Sequence, residues 1–472
     1  MSENTLTKDA RSILNTAGTK ALFDAAQDVV AIEPKAEPPR DAKPEPAMSN
    51  LPSGTAPIPK VDGEGRPAPV VYYDGRKYLW ETPRDYIPMD RQSVMAQLNR
   101  RKIDATEEIC RIQLENYVKY AGPLAGKRRG IVESNGDKLL ATTDPIIVEA
   151  EDVPWPTTRD FLVRLLCDEG HGNRQLIHFM GWIKYARQAL HEGVRRPAQA
   201  LVMAGPIQSG KTTAIRLAKI ALGGRQAMPY KYLTGKTGFN ADLVGSELLV
   251  IDDDTGTTDI RSRRALGDGI KNKLFADAVR IEGKGSNAFT FDPLWRLMIA
   301  CNNEPENLLV LPPLNHDLAD KLMLLHCQPA VTCRGDAEWK AFTAAIEAEL
   351  PGFLHACEKM DIPENMRDSR CGIGAFQHPL LVDALGELSP EHQLLQLVDQ
   401  LAAGGEITWP WEGTAAQLKQ VLTARDASTA RDAERLLGSW LAAAGVYLGR
   451  LVGGRVEKLL LHDGHQRWRI EP

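Results

Sequence analysis

No stretch of this sequence approaches 18 consecutive apolar residues, so a membrane-spanning helix is not expected. The first residues carry Asp9 and no apolar core, so they do not read as a signal peptide. None of the seven cysteines, at positions 110, 167, 301, 327, 333, 357 and 371, falls in a Cys-x-x-Cys pair. That spacing argues against a zinc site or a disulfide framework and for reduced thiols in a cytoplasm. Net charge is also scarce, because 57 Lys and Arg against 62 Asp and Glu leave −5. No global field draws the chain to nucleic acid, so any such site must be a local patch. Internal repeats are lacking as well, which removes solenoid architectures. The expectation is a soluble cytoplasmic protein with no membrane contact. Its 472 residues exceed what one core supports and predict two or three domains.

What the chain does contain is a complete phosphate-binding loop, Gly205-Pro206-Ile207-Gln208-Ser209-Gly210-Lys211-Thr212. An apolar run, Leu201–Ala204, leads into it, and a helix-compatible stretch beginning at Thr213 leads out. Strand, loop and helix in that order are the context the motif needs. Gly205 and Gly210 let the backbone curl so that successive N–H groups point at a triphosphate. Lys211 adds a point charge at the β and γ phosphates, Thr212 offers a hydroxyl to Mg²⁺, and the helix N-terminus favours the anion. ATP with Mg²⁺ is the expected cofactor, held by residues 205–213.

Around this loop the chain divides by composition. Residues 1–32 admit a short amphipathic helix with Ile13, Leu14, Ala21, Leu22 and Phe23 on one face, and ten prolines at 34–69 predict an extended, disordered linker. The whole of 1–69 is therefore expected as a Pro-rich tail. A hairpin around Asp74-Gly75 opens a small α+β region at 70–150. Residues 151–196 read as a helical collar, 197–330 as an alternating strand–helix core, 331–388 as a helical lid, and 389–472 as a winged-helix-like domain. The last reading rests on helices at 394–398, 413–422 and 433–444 followed by strands at 456–461 and 466–470. Gly413–Pro472 carries nine Lys and Arg against six Asp and Glu, so it reads either as a DNA-binding module or as one that only packs.

Two further strands carry chemistry. Glu247-Leu-Leu-Val-Ile-Asp-Asp-Asp254 is an apolar strand ending in carboxylates, which a parallel sheet delivers at its ligand-binding edge. Asp252 is placed to orient the Mg²⁺ shell and Asp253 to polarise the attacking water. Trp295–Cys301 ends in Asn302-Asn303-Glu304-Pro305. Asn302 can hold the lytic water or read the γ-phosphate without altering the local charge, although Asn-Asn before Pro also suits a plain turn. Between the two strands, Arg261–Lys284 holds seven positive and three negative charges. Its end alternates like a hairpin, so Lys271, Lys273, Arg280 and Lys284 suit phosphates of single-stranded nucleic acid in a channel. The alternative is a solvated edge hairpin.

Phosphate loop, acidic strand, basic hairpin and Asn-ended strand, within about one hundred residues, resemble the superfamily 3 helicase core of phage, plasmid and poxvirus-type primase-helicases. The likeness runs from about Trp182 to His378 and takes in Glu349-Leu-Pro-Gly-Phe-Leu354. It implies a P-loop, AAA+-like, doubly wound parallel sheet and an ATPase that forms hexameric rings. Such rings thread single-stranded DNA, typically moving 3′ to 5′. The resemblance assigns the loop to Gly205–Thr212, the acidic motif to Asp252-Asp253, the hairpin to Lys271–Lys284 and the sensor asparagine to Asn302. One departure matters: where the family places an arginine finger, this chain reads Asp317–Leu325, with Lys321 and no Arg. Lysine places charge but lacks the bidentate fork, so either Lys321 or one of Arg261, Arg263 and Arg264 would have to serve. The region 70–150 lacks paired metal-binding acids, so primer synthesis would fall to a separate primase or polymerase. The competing expectation is an ATP-dependent initiator or loader that binds DNA without unwinding it.

Overall fold

The computed structural model describes residues 67–472 apart from 253–259, 285–286, 315, 334, 425–440 and 462. The expected helix and linker at 1–66, and Asp253, lie outside the described residues. The described parts of Met1–Thr255, Asp268–Asn302 and Asp320–Phe376 form one compact unit; those of Gly256–Gly267, Asn303–Ala319 and Gln377–Pro472 form a second.

The first unit opens with three antiparallel strands, β1 (Val71–Tyr73), β2 (Tyr78–Glu81) and β3 (Tyr86–Met89). Asp74 closes the first turn as expected, its carboxylate accepting the Arg76 and Lys77 N–H groups at 2.8 and 2.7 Å. Helices α1 (Arg91–Arg100) and α2 (Ala105–Glu115) start at Asp90 and Asp104, whose side chains accept first-turn N–H groups. A second small sheet joins β4 (Tyr120–Gly122), β5 (Gly130–Ser134) and β6 (Asp137–Ala141) in the order β4-β6-β5. Helices α3 (Pro156–Leu166) and α4 (Arg174–Glu192) then lead into the central sheet.

That sheet has five strands: β7 (Ala200–Ala204), β8 (Gln226–Ala227), β9 (Leu248–Ile251), β12 (Arg296–Cys301) and β13 (Leu322–His326). Their spatial order is β13-β7-β12-β9-β8, and every pairing is parallel. Buried on both faces, the four longer strands are apolar runs rather than alternating ones, apart from Arg296 at the start of β12 and the partly buried His326 at the end of β13. Leu201, Met203, Leu248, Val250, Met298, Ala300, Met323 and Leu325 share one core with α3, α4, α5 (Lys211–Ala221) and α8 (Leu350–Lys359). The segment expected as a collar thus lays Phe161, Leu162, Phe179, Met180 and Ile183 directly into the core of the sheet.

The basic stretch ends in the expected antiparallel hairpin, β10 (Val279–Ile281) and β11 (Phe289–Phe291). The segment expected as a helical lid contains α7 (Asp336–Ala348) and α8, and also a two-stranded hairpin, β14 (Arg367–Asp368) with β15 (Gly372–Ile373). In the second unit, α6 is Ile260–Gly269 up to Gly267. It is followed there by α9 (Pro379–Glu387), α10 (Pro390–Ala403), α11 (Ala415–Ala424) and α12 (Leu441–Arg450). The expected C-terminal strands are β17 (Val456–Lys458) and β18 (Arg467–Ile470), and β16 (Trp411–Thr414) makes them a three-stranded sheet ordered β16-β18-β17. Gly413 and Thr414, the second half of β16, were expected as the start of a helix. Instead Trp411 and Gly413 both turn inward, and a Cβ on Gly413 would come 2.6 Å from the Trp411 ring. No helix among the described residues is long and apolar enough to cross a membrane.

Candidate nucleotide-binding site

The phosphate loop joins the carboxyl end of β7 to α5, the edge where open parallel sheets bind ligands. The pairing register puts Cys301 of β12 and His326 of β13 level with Ala204, so three strand ends converge there. The two loop glycines are required for different reasons. At Gly205 the backbone is crowded: a Cβ would sit 2.5 Å from the Cys327 carbonyl oxygen. Gly210 has φ +116°, and a Cβ there would also strike the Phe161 ring at 2.7 Å. Gln208 adopts φ +61°, a left-handed conformation that few non-glycine residues hold outside functional turns. Gly210 caps α5 with no side-chain hydrogen bond, so the helix presents its first-turn N–H groups without a competing side chain.

Lys211 is buried, and its ammonium donates to Gly205 O and Pro206 O at 2.8 Å each and to Asn302 Oδ1 at 2.9 Å. Ser209 Oγ stands farther off at 3.5 Å. The loop lysine and the asparagine expected to act with it, 91 residues apart, therefore meet directly. Asn302 reaches the loop because β12 lies between β7 and β9. For the same reason Asp252, half-buried at the end of β9, stands one strand farther from the loop than Asn302. Thr212 is exposed at the start of α5, and Thr213 is turned into the core.

Lys321 is not brought to this edge. It immediately precedes β13, and its carbonyl accepts the Ala200 N–H, at the amino end of β7. Its ammonium pairs with Asp320 at 2.6 Å and lies 5.7 Å from the Phe275 ring, leaving the side chain 14% exposed. Of the three alternative arginines, Arg263 is buried, donates to Leu311 O at 2.9 Å, and has its pKa pushed down to about 10 by burial and then by Arg264. Arg264 lies 5.6 Å from the Tyr447 ring, and Arg261 is exposed.

The basic hairpin faces two ways. Val279, Ile281, Phe289 and Phe291 are buried, with Phe289 stacked 4.9 Å from Tyr120. Fully buried Asn240, which no motif singled out, clamps the first strand: it donates to Arg280 O at 3.0 Å and accepts the Glu282 N–H at 2.8 Å. Arg280 points outward, 72% exposed, in a surface pair with Glu282, and Lys271 and Lys284 are also exposed. Lys273 departs from this set, since its ammonium donates to Tyr232 O and lies 3.8 Å from the Tyr232 ring. In the C-terminal sheet, by contrast, Arg467 and Arg469 both pair with Glu412, and Arg455, just before β17, pairs with Asp399 of α10.

Residues 203–312 match the model of a family of unknown function, DUF5906. No curated protein sequence matches the chain. Among solved structures, two of the apo NrS-1 C-terminal region are similar, at TM-scores of 0.51 and 0.50. They are 12% and 11% identical, the alignments cover 86% of this chain in each case, and 96% and 97% of theirs. That likeness extends to the fold: a mixed α/β chain built on a parallel sheet. The SCCmec type IV Cch active helicase aligns at a TM-score of only 0.31 and 11% identity, over 81% of this chain and 73% of its own.

Proposed function

We propose that this chain is an ATP-dependent, superfamily 3-like DNA helicase or replication ATPase of a phage or mobile element, working as a ring on single-stranded DNA. The observation that carries the reading is the 2.9 Å contact between the Lys211 ammonium and Asn302 Oδ1, which couples the phosphate loop to the neighbouring strand end. The residues present suit ATP. Two glycines leave room for the backbone, the α5 N-terminus has no side-chain cap, and a buried cation lies inside the loop. Lys211 would exchange its two carbonyl partners for phosphate oxygens, with the N–H groups of Ile207–Thr213 completing the cradle. Thr212 and Asp252 would hold Mg²⁺, which neutralises charge on the transferred phosphoryl group. Asn302 would orient the lytic water, and Asp253 would polarise it.

Single-stranded DNA would meet Lys271, Arg280 and Lys284, with Lys273 held back against Tyr232. The C-terminal helices and three-stranded sheet fit a winged-helix-like module. Their paired arginines make it a weaker candidate for phosphate contact than the hairpin.

The test is Mg²⁺-dependent ATPase with and without single-stranded DNA, together with strand displacement on a forked duplex. Arg280→Ala with Lys284→Ala is expected to keep basal ATPase and to lose DNA stimulation and the steep salt dependence of DNA binding. Wild-type stimulation in that double variant would reduce the hairpin to a charged edge. The second reading, an initiator or loader that uses ATP for assembly, is favoured by the covered position of Lys321. ATPase without strand displacement would select it.

A further inference from the structure

Behind the phosphate loop lies a polar contact that no motif announces. Gln175, near the start of α4, is fully buried. Its Oε1 accepts the His326 N–H at 2.7 Å, and its Nε2 faces His326 O at 3.2 Å, Asp168 Oδ2 at 3.0 Å and Leu166 O at 3.2 Å. β13 is an edge strand of the central sheet, paired within it to β7. Beyond that pairing, the Leu324 N–H donates to Phe376 O at 2.7 Å, and the next outward-facing peptide groups, those of His326, meet the Gln175 amide. A primary amide sets an N–H donor beside a carbonyl acceptor, as a peptide unit does, so Gln175 supplies what a peptide unit of a sixth strand would and keeps a second N–H for Asp168 and Leu166.

The residues after His326 form the wall of the loop. Cys327 donates to Ala204 O at 2.7 Å, and its carbonyl is the atom that leaves no room for a Cβ at Gly205. The Gln328 N–H donates to Leu165 O and the Ala330 N–H to Ser209 O, both at 2.9 Å. Val331 Cγ2 would lie 3.2 Å from a Cβ at Gly210. This short segment thus touches the loop at its first glycine, its serine and its last glycine, and Gln175 holds the end from which it springs.

We infer that Gln175 is a positioning residue for nucleotide binding, fixing the backbone of Cys327–Val331 against which the phosphate loop takes its shape. The inference rests on the reading of residues 205–212 as an ATP site. A loop that depends on this wall loses affinity when the wall shifts, whereas chemistry at Lys211 and Asn302 is untouched once ATP is seated.

The experiment uses the full chain as wild type, Lys211→Ala, Gln175→Leu and Gln175→Asn. It measures affinity for a fluorescent ATP analogue with Mg²⁺, steady-state KM and kcat, and thermal unfolding with and without nucleotide. The Gln175 variants are expected to raise Kd and KM for ATP about tenfold with kcat within about twofold, and to lose most of the nucleotide-induced rise in Tm. Gln175→Asn keeps the amide but is one methylene short, so it provides the reading if Gln175→Leu does not fold. Wild-type affinity in folded Gln175 variants overturns the inference, as does failure of both to fold, which would make Gln175 a fold residue only. No nucleotide binding by wild type, or undiminished binding by Lys211→Ala, would instead remove the ATP site on which the inference stands.

Discussion

Both ends of the central sheet bury a cation, and the two are held in opposite ways. At the carboxyl end, the Lys211 ammonium has three oxygens within 2.9 Å, two of them carbonyls of its own loop. At the amino end, Arg296 opens β12 with a buried guanidinium whose Nη1 donates to Arg196 O at 2.9 Å and Trp295 O at 3.1 Å. Its Nε and Nη2 are buried without a hydrogen-bond partner, and burial pushes its pKa down to about 10. A compact ammonium on a flexible stem can trade carbonyls for phosphates, whereas a buried planar guanidinium is fixed by its packing. Parallel strands gather ligand chemistry at their carboxyl ends, so cations at the amino end answer to folding. Lys321 stands at that same amino end, its ammonium paired with Asp320.

The largest expected effect comes from emptying the carboxyl end. Lys211→Ala is expected to lower ATP turnover by about 10³-fold or more, because it removes the positive charge opposite the transferred phosphoryl group. The measurement is single-turnover hydrolysis at saturating ATP. Near-normal turnover would show that the cation at the carboxyl end of the sheet does not serve ATP hydrolysis.

Next in size is Asn302→Ala, expected to cost about 10²-fold in kcat, in line with losing one preorganised polar group at a reacting centre. KM for ATP should move far less, since the loop and Lys211 keep the phosphate contacts. A rise in KM at unchanged kcat would make Asn302 a binding residue and move the water-orienting role elsewhere.

Lys211 and Asn302 are each legible as candidate site residues from sequence alone, and the reason is local. A phosphate loop, an apolar strand and a terminal amide are each written in contiguous residues, and the parallel sheet aligns their ends. The hairpin was legible for the same reason, through the alternation of Val279, Ile281, Phe289 and Phe291. What sequence could not supply was lateral order. That β12 separates β9 from β7, setting Asp252 one strand farther from the loop, depends on long-range pairing. The same holds for the retreat of Lys273 onto Tyr232, which required knowing that the one-turn helix Tyr230–Leu233 packs nearby. β16 was hidden because Gly413-Thr-Ala-Ala reads as a helix start, while its pairing partner, β18, lies more than fifty residues downstream. Gln175 carried a faint signal, a polar residue beside the apolar Leu176 and Ile177 of α4, but nothing in the chain names His326 as its partner.

At the amino end the effects should fall on stability and be small. Arg296→Met replaces a partly satisfied buried charge by an apolar side chain of comparable length, a change that is often neutral or favourable. Urea unfolding is expected to stay within about 1 kcal/mol of wild type, with ATPase unchanged. A loss of activity without a loss of stability would mean that the amino end reaches the chemistry, and the contrast between the two ends would fail.

Lys321→Ala is expected to change turnover least. A residue that completes a neighbour's ATP site must present its charge at a surface, and a trans-acting arginine is worth about 10³-fold or more in turnover. Lys321 instead spends its charge on Asp320, rests against Phe275, and stands five residues before His326, about 16 Å along the strand from the loop end. From that position we expect ATPase within about twofold of wild type, with or without single-stranded DNA. Mixing Lys321→Ala with Lys211→Ala subunits checks the point within the proposed ring, because a mixed ring would contain some sites with both residues intact. Loss of ATPase in Lys321→Ala alone, regained in the mixture, would place a working cation at the amino end. Normal ATPase in Lys321→Ala would leave the exposed Arg261, rather than the buried Arg263, as the next residue to substitute.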